Sequence, residues 1–253
     1  VDESGGDDPA GPSVLEYDVR ETYTAVADAG PLATTLGVFV AVLGVAGEPV
    51  TRARLHALAT GGGPDADVVC PADRDTVTHD VVDDAIAAIE GHLLSPRRDG
   101  HTFHTRHTQW LVRFLEHALD TAERRTVGRF EWAVSTVVAL ADHPDRHKTV
   151  ENWLGSGVPT VEPLTEGGVD EFLTDLFAVG LRHASLAPLF GTTAQTGLEV
   201  PDACDPATKL ERRSSRGKMW YDYGAADRGE RELRELCERC TEISAPVGTQ
   251  TRY

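Results

Sequence analysis

Between Leu36 and Ala46 the sequence reads LGVFVAVLGVA, without one charged or hydrogen-bonding side chain. Leu36, Phe39, Val40, Leu43 and Ala46 recur at helical spacing, and Val38, Val42 and Val45 fill the flanks. A helix that is apolar nearly all round has no face to give to water, so it belongs at the centre of a core. Everything else in the chain must therefore supply elements that cover it. The run is far short of the ~20 residues needed to cross a bilayer. Gly47-Glu48-Pro49 ends it, because proline cannot continue a helix.

The next elements follow from caps and periodicity. Thr51 stands at an N-cap position ahead of Leu55 and Leu58, and this helix stops at Gly61-Gly62-Gly63. After an acidic, proline-punctuated loop from Pro64 to Val77, Thr78 can cap a third helix with Asp80, Asp83 and Asp84 near its positive end. Its buried stripe is Val82, Ala85, Ile86, Ile89 and Leu93. Asp99-Gly100 between short alternating segments signals a hairpin over Leu94 to Phe103. Three helices and a hairpin in this order are the parts of a winged helix-turn-helix, here residues 14–105.

Trp110, Leu111, Phe114, Leu115, Ala118 and Leu119 then mark an amphipathic helix whose face is expected to pack on the third helix. Val127, Phe130, Val134, Val137, Val138 and Ala141 mark another, and Val169, Phe172, Leu173, Leu176 and Phe177 a third. These predict a helical bundle over 106–190. The stretch 191–229 reads as turn-rich and irregular, followed by a last helix over about 230–243 within a final segment, 191–253. Residues 1–13 read as a disordered acidic leader, with little to bury. The fold class expected is mainly α: a winged helix-turn-helix followed by a helical bundle.

Charge narrows the setting. The chain carries 41 acids against 24 Lys plus Arg, a net of -17, with only three lysines: Lys148, Lys209 and Lys218. An Asp-rich, Lys-poor surface looks like that of a halophilic archaeon, where salt screens the self-repulsion. The acidity then reports on the solvent more than on a partner. Two stretches are locally basic, Arg97 to Arg129 and Lys209 to Lys218. The four cysteines (Cys70, Cys204, Cys237, Cys240) make no disulfide framework in a chain of this length, and the acidic N-terminus shows no signal peptide. A cytoplasmic location is expected.

No constellation for catalysis is visible. Ser214-Ser215-Arg216-Gly217-Lys218-Met219 contains a Gly-Lys pair. It lacks the preceding glycine and following hydroxyl of a phosphate-binding loop. Dinucleotide and nucleophile-turn motifs are absent too, so no enzyme activity and no cofactor is expected. His101, His104 and His107 with Cys237-Glu238-Arg239-Cys240 invite a zinc reading, but a structural site needs a second close ligand pair. Cys237 and Cys240 align instead with Leu233 and Leu236 as a core stripe, so no metal is expected. For DNA, a helix entering the major groove needs bases to meet phosphate. Between His79 and Leu93 stand four acids and no Lys or Arg. Arg97 and Arg98 on the wing are the residues that would touch a DNA backbone.

The order of segments resembles the winged-helix region that follows the ATPase core in signal-transduction ATPases of the STAND (NACHT-like) class. Leu36 to Thr51, Arg54-Leu55 with Leu58, Val81 to Leu94, Arg98-Asp99-Gly100, and His107 to Trp110 with Phe114-Leu115 carry the likeness, over about residues 14–120. The resemblance implies a regulatory or sensor segment whose protein partner is an ATPase core. It implies that His107 meets a nucleotide phosphate, here in trans, because no ATPase core is on the chain. The acid expected five residues after that histidine is Val112. The alternative is a DNA-binding winged-helix regulator. No membrane partner is expected.

Overall fold

A computed structural model describes residues 14–60, 78–98, 102–142, 168–191 and 206–242. Within them the chain is mainly helical, with one small three-stranded sheet. The apolar run lies in α2 (Pro31–Val45), where Leu36, Val38, Phe39, Val40, Val42 and Leu43 are fully buried. Its two polar residues are satisfied inside the helix: the hydroxyls of Thr34 and Thr35 donate to the carbonyls of Gly30 and Pro31 at 2.9 and 2.8 Å. Gly47 ends it at φ 72°, while the Glu48 amide donates to Leu43 O at 2.9 Å and the Gly47 amide to Gly44 O at 3.3 Å. That pair of bonds is a Schellman stop, and its left-handed residue favours glycine.

α1 (Val14–Asp28) precedes this core helix and buries Val19, Thr22, Tyr23 and Val26. After β1 (Val50–Thr51), α3 (Arg52–Thr60) begins with the expected cap, Thr51 Oγ1 accepting the Arg54 amide at 3.1 Å. α4 (His79–Ile89) buries Val82, Ala85, Ile86 and Ile89, with Leu93 just beyond. Thr78 stands at its N-cap but makes no side-chain capping bond. β2 (Leu94–Pro96) and β3 (Thr102–Thr105) pair antiparallel with Ser95 opposite His104. β1 pairs with the other edge of β3, Val50 opposite Phe103, giving the order β1-β3-β2. The expected Asp99-Gly100 turn lies outside the described residues, as do 1–13.

The two expected helices after the hairpin are both present and follow one another without a loop as α5 (Thr108–Asp142), whose two halves are separated by a break at Ala122 (φ -153°, ψ 62°). Thr126 Oγ1 donates to Ala118 O at 2.9 Å across the break. α5 packs on α2, on the 3₁₀ turn Ala184–Phe190 and on α1 more than on the third helix, against which the face of Trp110 and Phe114 was expected to lie. Trp110 stacks on Phe114 at 5.8 Å and donates its indole N–H to Asp18 of α1 at 2.7 Å. α1, which periodicity did not announce, occupies that side. Farther along α5, the buried Arg129 donates from Nε to Thr35 Oγ1 of α2 at 3.0 Å.

α6 (Gly168–Arg182) and a 3₁₀ turn (Ala184–Phe190) add the aromatic end of the core, with Phe190 against Phe130 and Phe177 at 5.4 and 5.1 Å. The stretch 191–229 is not irregular throughout: α7 (Pro206–Tyr223) fills much of it, and α8 (Ala226–Glu242) starts before residue 230. One apolar cluster runs from Val19 to Met219, so no gap in the core separates the residues before 105 from those after it.

Candidate functional site

α4 and the β2–β3 hairpin hold the sequence-predicted contact residues, and α4 turns two chemically different sides to its surroundings. On the inner side Asp83 accepts from His56 Nε2 at 2.9 Å and from Arg52 Nη1, both on α3. Arg52 reaches Glu90 as well, at 3.5 Å. Burial alone would raise the Asp83 carboxyl, but the His56 hydrogen bond and charge and the Arg52 guanidinium outweigh it and hold its pKa below the ordinary value. The His56 side chain is fully buried. This acid therefore clamps α4 to α3 and is not offered outward.

The outer side carries Asp80, Val81, Asp84 and Ala87, all exposed. Among the described side chains there it has acids and small or apolar groups but no base. Beyond the end of α4 the hairpin reverses the charge. Arg97 and Arg98 are exposed, and the Arg97 amide donates to Thr102 O at 2.9 Å, closing the hairpin beneath them. His104 is exposed on β3. Arg106 donates from Nε to His92 O at 2.9 Å and lies 5.3 Å over the Trp110 ring.

His107 is exposed and sits immediately before α5. Its Nδ1 accepts the Gln109 amide at 3.3 Å, and its carbonyl accepts the Trp110 and Leu111 amides at 2.8 and 3.1 Å. These are the groups a helix start leaves without intrahelical partners, so His107 caps α5. Val112, where the resemblance calls for an acid, is buried.

The arginines of the second basic stretch are spent internally. Arg213 and Arg216 both pair with Glu232 of α8, at 2.7 and 3.1 Å. Burial pushes the Glu232 carboxyl up, but the two guanidinium groups bring it below its usual value. Arg216 and Arg228 each lie over the Trp220 ring, 4.7 and 3.7 Å from its centroid. Its N–H donates to Phe190 O at 2.8 Å, and Arg228 donates to Gly191 O at 2.9 Å. The stack fastens α7 and α8 to the 3₁₀ turn. Sequence reasoning missed both this stack and the His56–Asp83 pair. The i, i+4 spacing of Arg52 with His56 and of Arg216 with Trp220 was the available signal.

The cysteine stripe requires correction. Cys237 is exposed, and Leu236 takes the buried position beside it. The Cys240 side chain, Cys70, Cys204 and His101 fall outside the described residues. Among the described residues, no group of three metal-ligating side chains comes together, and no helix is long and apolar enough to cross a membrane. No family model, curated protein or solved structure matches this chain.

Proposed function

We propose that the protein is a non-catalytic regulatory or sensor segment of a STAND-like ATPase. It acts in a salt-adapted cytoplasm by packing on an ATPase core or by binding a trigger. Helix, strand, two helices and a hairpin, with β1 and β2 on opposite edges of β3, is the layout that a winged helix-turn-helix requires, and it supports that reading of residues 14–105. In such a module α4 is the helix that would enter a major groove.

One observation favours a protein partner over DNA: the outer side of α4 presents Asp80, Val81, Asp84 and Ala87, without a base. A duplex carries one negative charge per ~1.7 Å of axis, and a carboxylate pair pressed into its groove repels it. The apolar and acidic side chains suit a protein surface instead. The exposure of His107 at the start of α5 supports, on this reading, a contact with a nucleotide phosphate bound to another chain. The DNA-regulator reading keeps one point in its favour, the exposure of Arg97 and Arg98 on the hairpin.

Two measurements test the proposal. In a mobility-shift assay at high potassium, the chain should not shift duplex DNA taken from upstream of its own gene. A specific shift, lost on Arg97→Ala with Arg98→Ala, transfers the assignment to the DNA regulator. Calorimetry with ATP should give no heat of binding, because the chain lacks a loop to cradle phosphates. Micromolar affinity for ATP would end the non-catalytic reading.

A further inference from the structure

We infer that α4 and the hairpin form a reciprocal interface between two copies of this chain. Along the chain from α4 into the hairpin the exposed charge changes from acid to base. Asp80 and Asp84 stand exposed toward the start of α4, and Val81, 43 % exposed, lies beside them with Ala87 one turn on. At the other end stand Arg97 and Arg98, exposed on the hairpin, with His104 on the neighbouring strand. Among the described residues these two acids and two arginines make no ion pair with one another or with any other side chain. The base is also concentrated: residues 91–115 hold four arginines and one acid, Asp99, in a chain of net charge -17.

A partner of one sign fits only half of this surface. A duplex that met Arg97 and Arg98 would press its phosphates on Asp80 and Asp84, and an evenly acidic protein would do the same. A second copy related by a two-fold axis fits both halves. In a two-fold interface residue i meets j and j meets i, so the arginines of each copy face the acids of the other. Val81 and Ala87 then lie near the axis, where apolar surface is lost to water. Guanidinium and carboxylate match as planar, two-pronged partners, and contact pairs of this kind depend less on the long-range field that salt removes. The inference does not rest on the ATPase reading. The DNA and ATP measurements above decide that reading, and failure of a dimer leaves them untouched.

Charge exchange tests it on the whole chain. Sedimentation equilibrium in about 1 M KCl, where the screening length is about 3 Å, should show a dimer that forms with rising concentration. The pair Arg97→Glu with Arg98→Glu should weaken it at least about tenfold, and so should Asp80→Arg with Asp84→Arg, because like charges are then juxtaposed. Mixing the two variants should restore a dimer of one copy of each. Far-UV circular dichroism identifies any reversed variant that fails to fold. The milder Arg97→Ala with Arg98→Ala must then weaken the dimer on its own. A wild-type monomer up to about 100 µM overturns the inference, since association must follow mass action. So does a mixture that stays monomeric, or a dimer indifferent to every variant. Binding of duplex DNA that Arg97→Glu with Arg98→Glu abolishes would give the surface to nucleic acid instead.

Discussion

Two ion pairs show how burial decides what a charge is worth. Glu48 and Arg54 pair at 2.9 Å with side chains only 1 % and 5 % exposed, and Arg54 also donates to Pro49 O. The Arg234–Glu230 pair on α8 is 67 % and 58 % exposed. Removing one partner of a buried pair strands the other charge, so Glu48→Ala should cost about 3–5 kcal/mol in urea unfolding. Glu230→Ala should change stability by less than about 0.5 kcal/mol. Equal costs would show that the Glu48 site admits water. Asp83 makes a pH prediction. Its carboxyl is held below the ordinary value, so its contribution is fully present above the unfolded value near 3.9 and is lost as pH falls through the lowered folded one. Asp83→Asn should therefore flatten the acid limb of a stability-against-pH curve. Glu48 was legible in the sequence only as part of a helix stop. Its partner lies across that stop, and no periodicity links the two.

Periodicity announced the elements that bury a clear stripe and lost those that do not. α4 and both halves of α5 were legible because apolar residues recur every three or four positions. α7 was not: its buried set includes Arg212 and Gly217 beside Leu210, Met219 and Trp220. Its hold on α8 depends on a backbone approach instead of an apolar stripe. A methyl at Gly229 would stand 2.4 Å from the Tyr221 amide nitrogen and 2.5 Å from Gly217 O, both main-chain atoms. Neither can rotate away, so Gly229→Ala should force the two helices apart at a cost of about 1–3 kcal/mol. The sign is limited proteolysis cutting earlier between α7 and α8 with the rest of the chain intact; an unchanged digest would refute the close approach. At the other end of the core, Trp110→Ala should cost about 3–5 kcal/mol by leaving a cavity beside Phe114. Trp110→Phe fills most of that space and leaves Asp18 without its indole donor, so it should cost less. The start of α5 is thus tied to α1, which supplies Asp18.

At the scale of the whole molecule, the opposing terms are one continuous apolar core and a net charge of -17. The core's location was legible from the run Leu36 to Ala46, because a helix without a polar face has only one place to go. Which elements would cover it was less so: the kinked α5 does most of this, with α4 and α1 beside it, and neither the kink nor α1 carries a sequence signature as strong as the run. The acids are unevenly placed, 17 of the 41 falling in residues 1–90 with four arginines there. Self-repulsion is therefore greatest around the third of the chain that contains α2. Screening shortens from about 10 Å in ~0.1 M salt to below about 3 Å above ~1 M. Adding salt removes repulsion among exposed carboxylates sooner than it weakens half-buried pairs such as Arg213–Glu232 or buried ones such as Arg54–Glu48. Salts that are excluded from protein surfaces also strengthen apolar burial, so the two effects must be separated. Thermal unfolding in ~0.1 M and ~3 M KCl should show a clearly higher midpoint at high salt. Guanidinium-free controls with an equal osmolality of sucrose, which is excluded but does not screen, should recover only part of that shift. A midpoint unchanged by KCl, or one that sucrose reproduces in full, would remove charge screening as the reason this acidic chain stays folded.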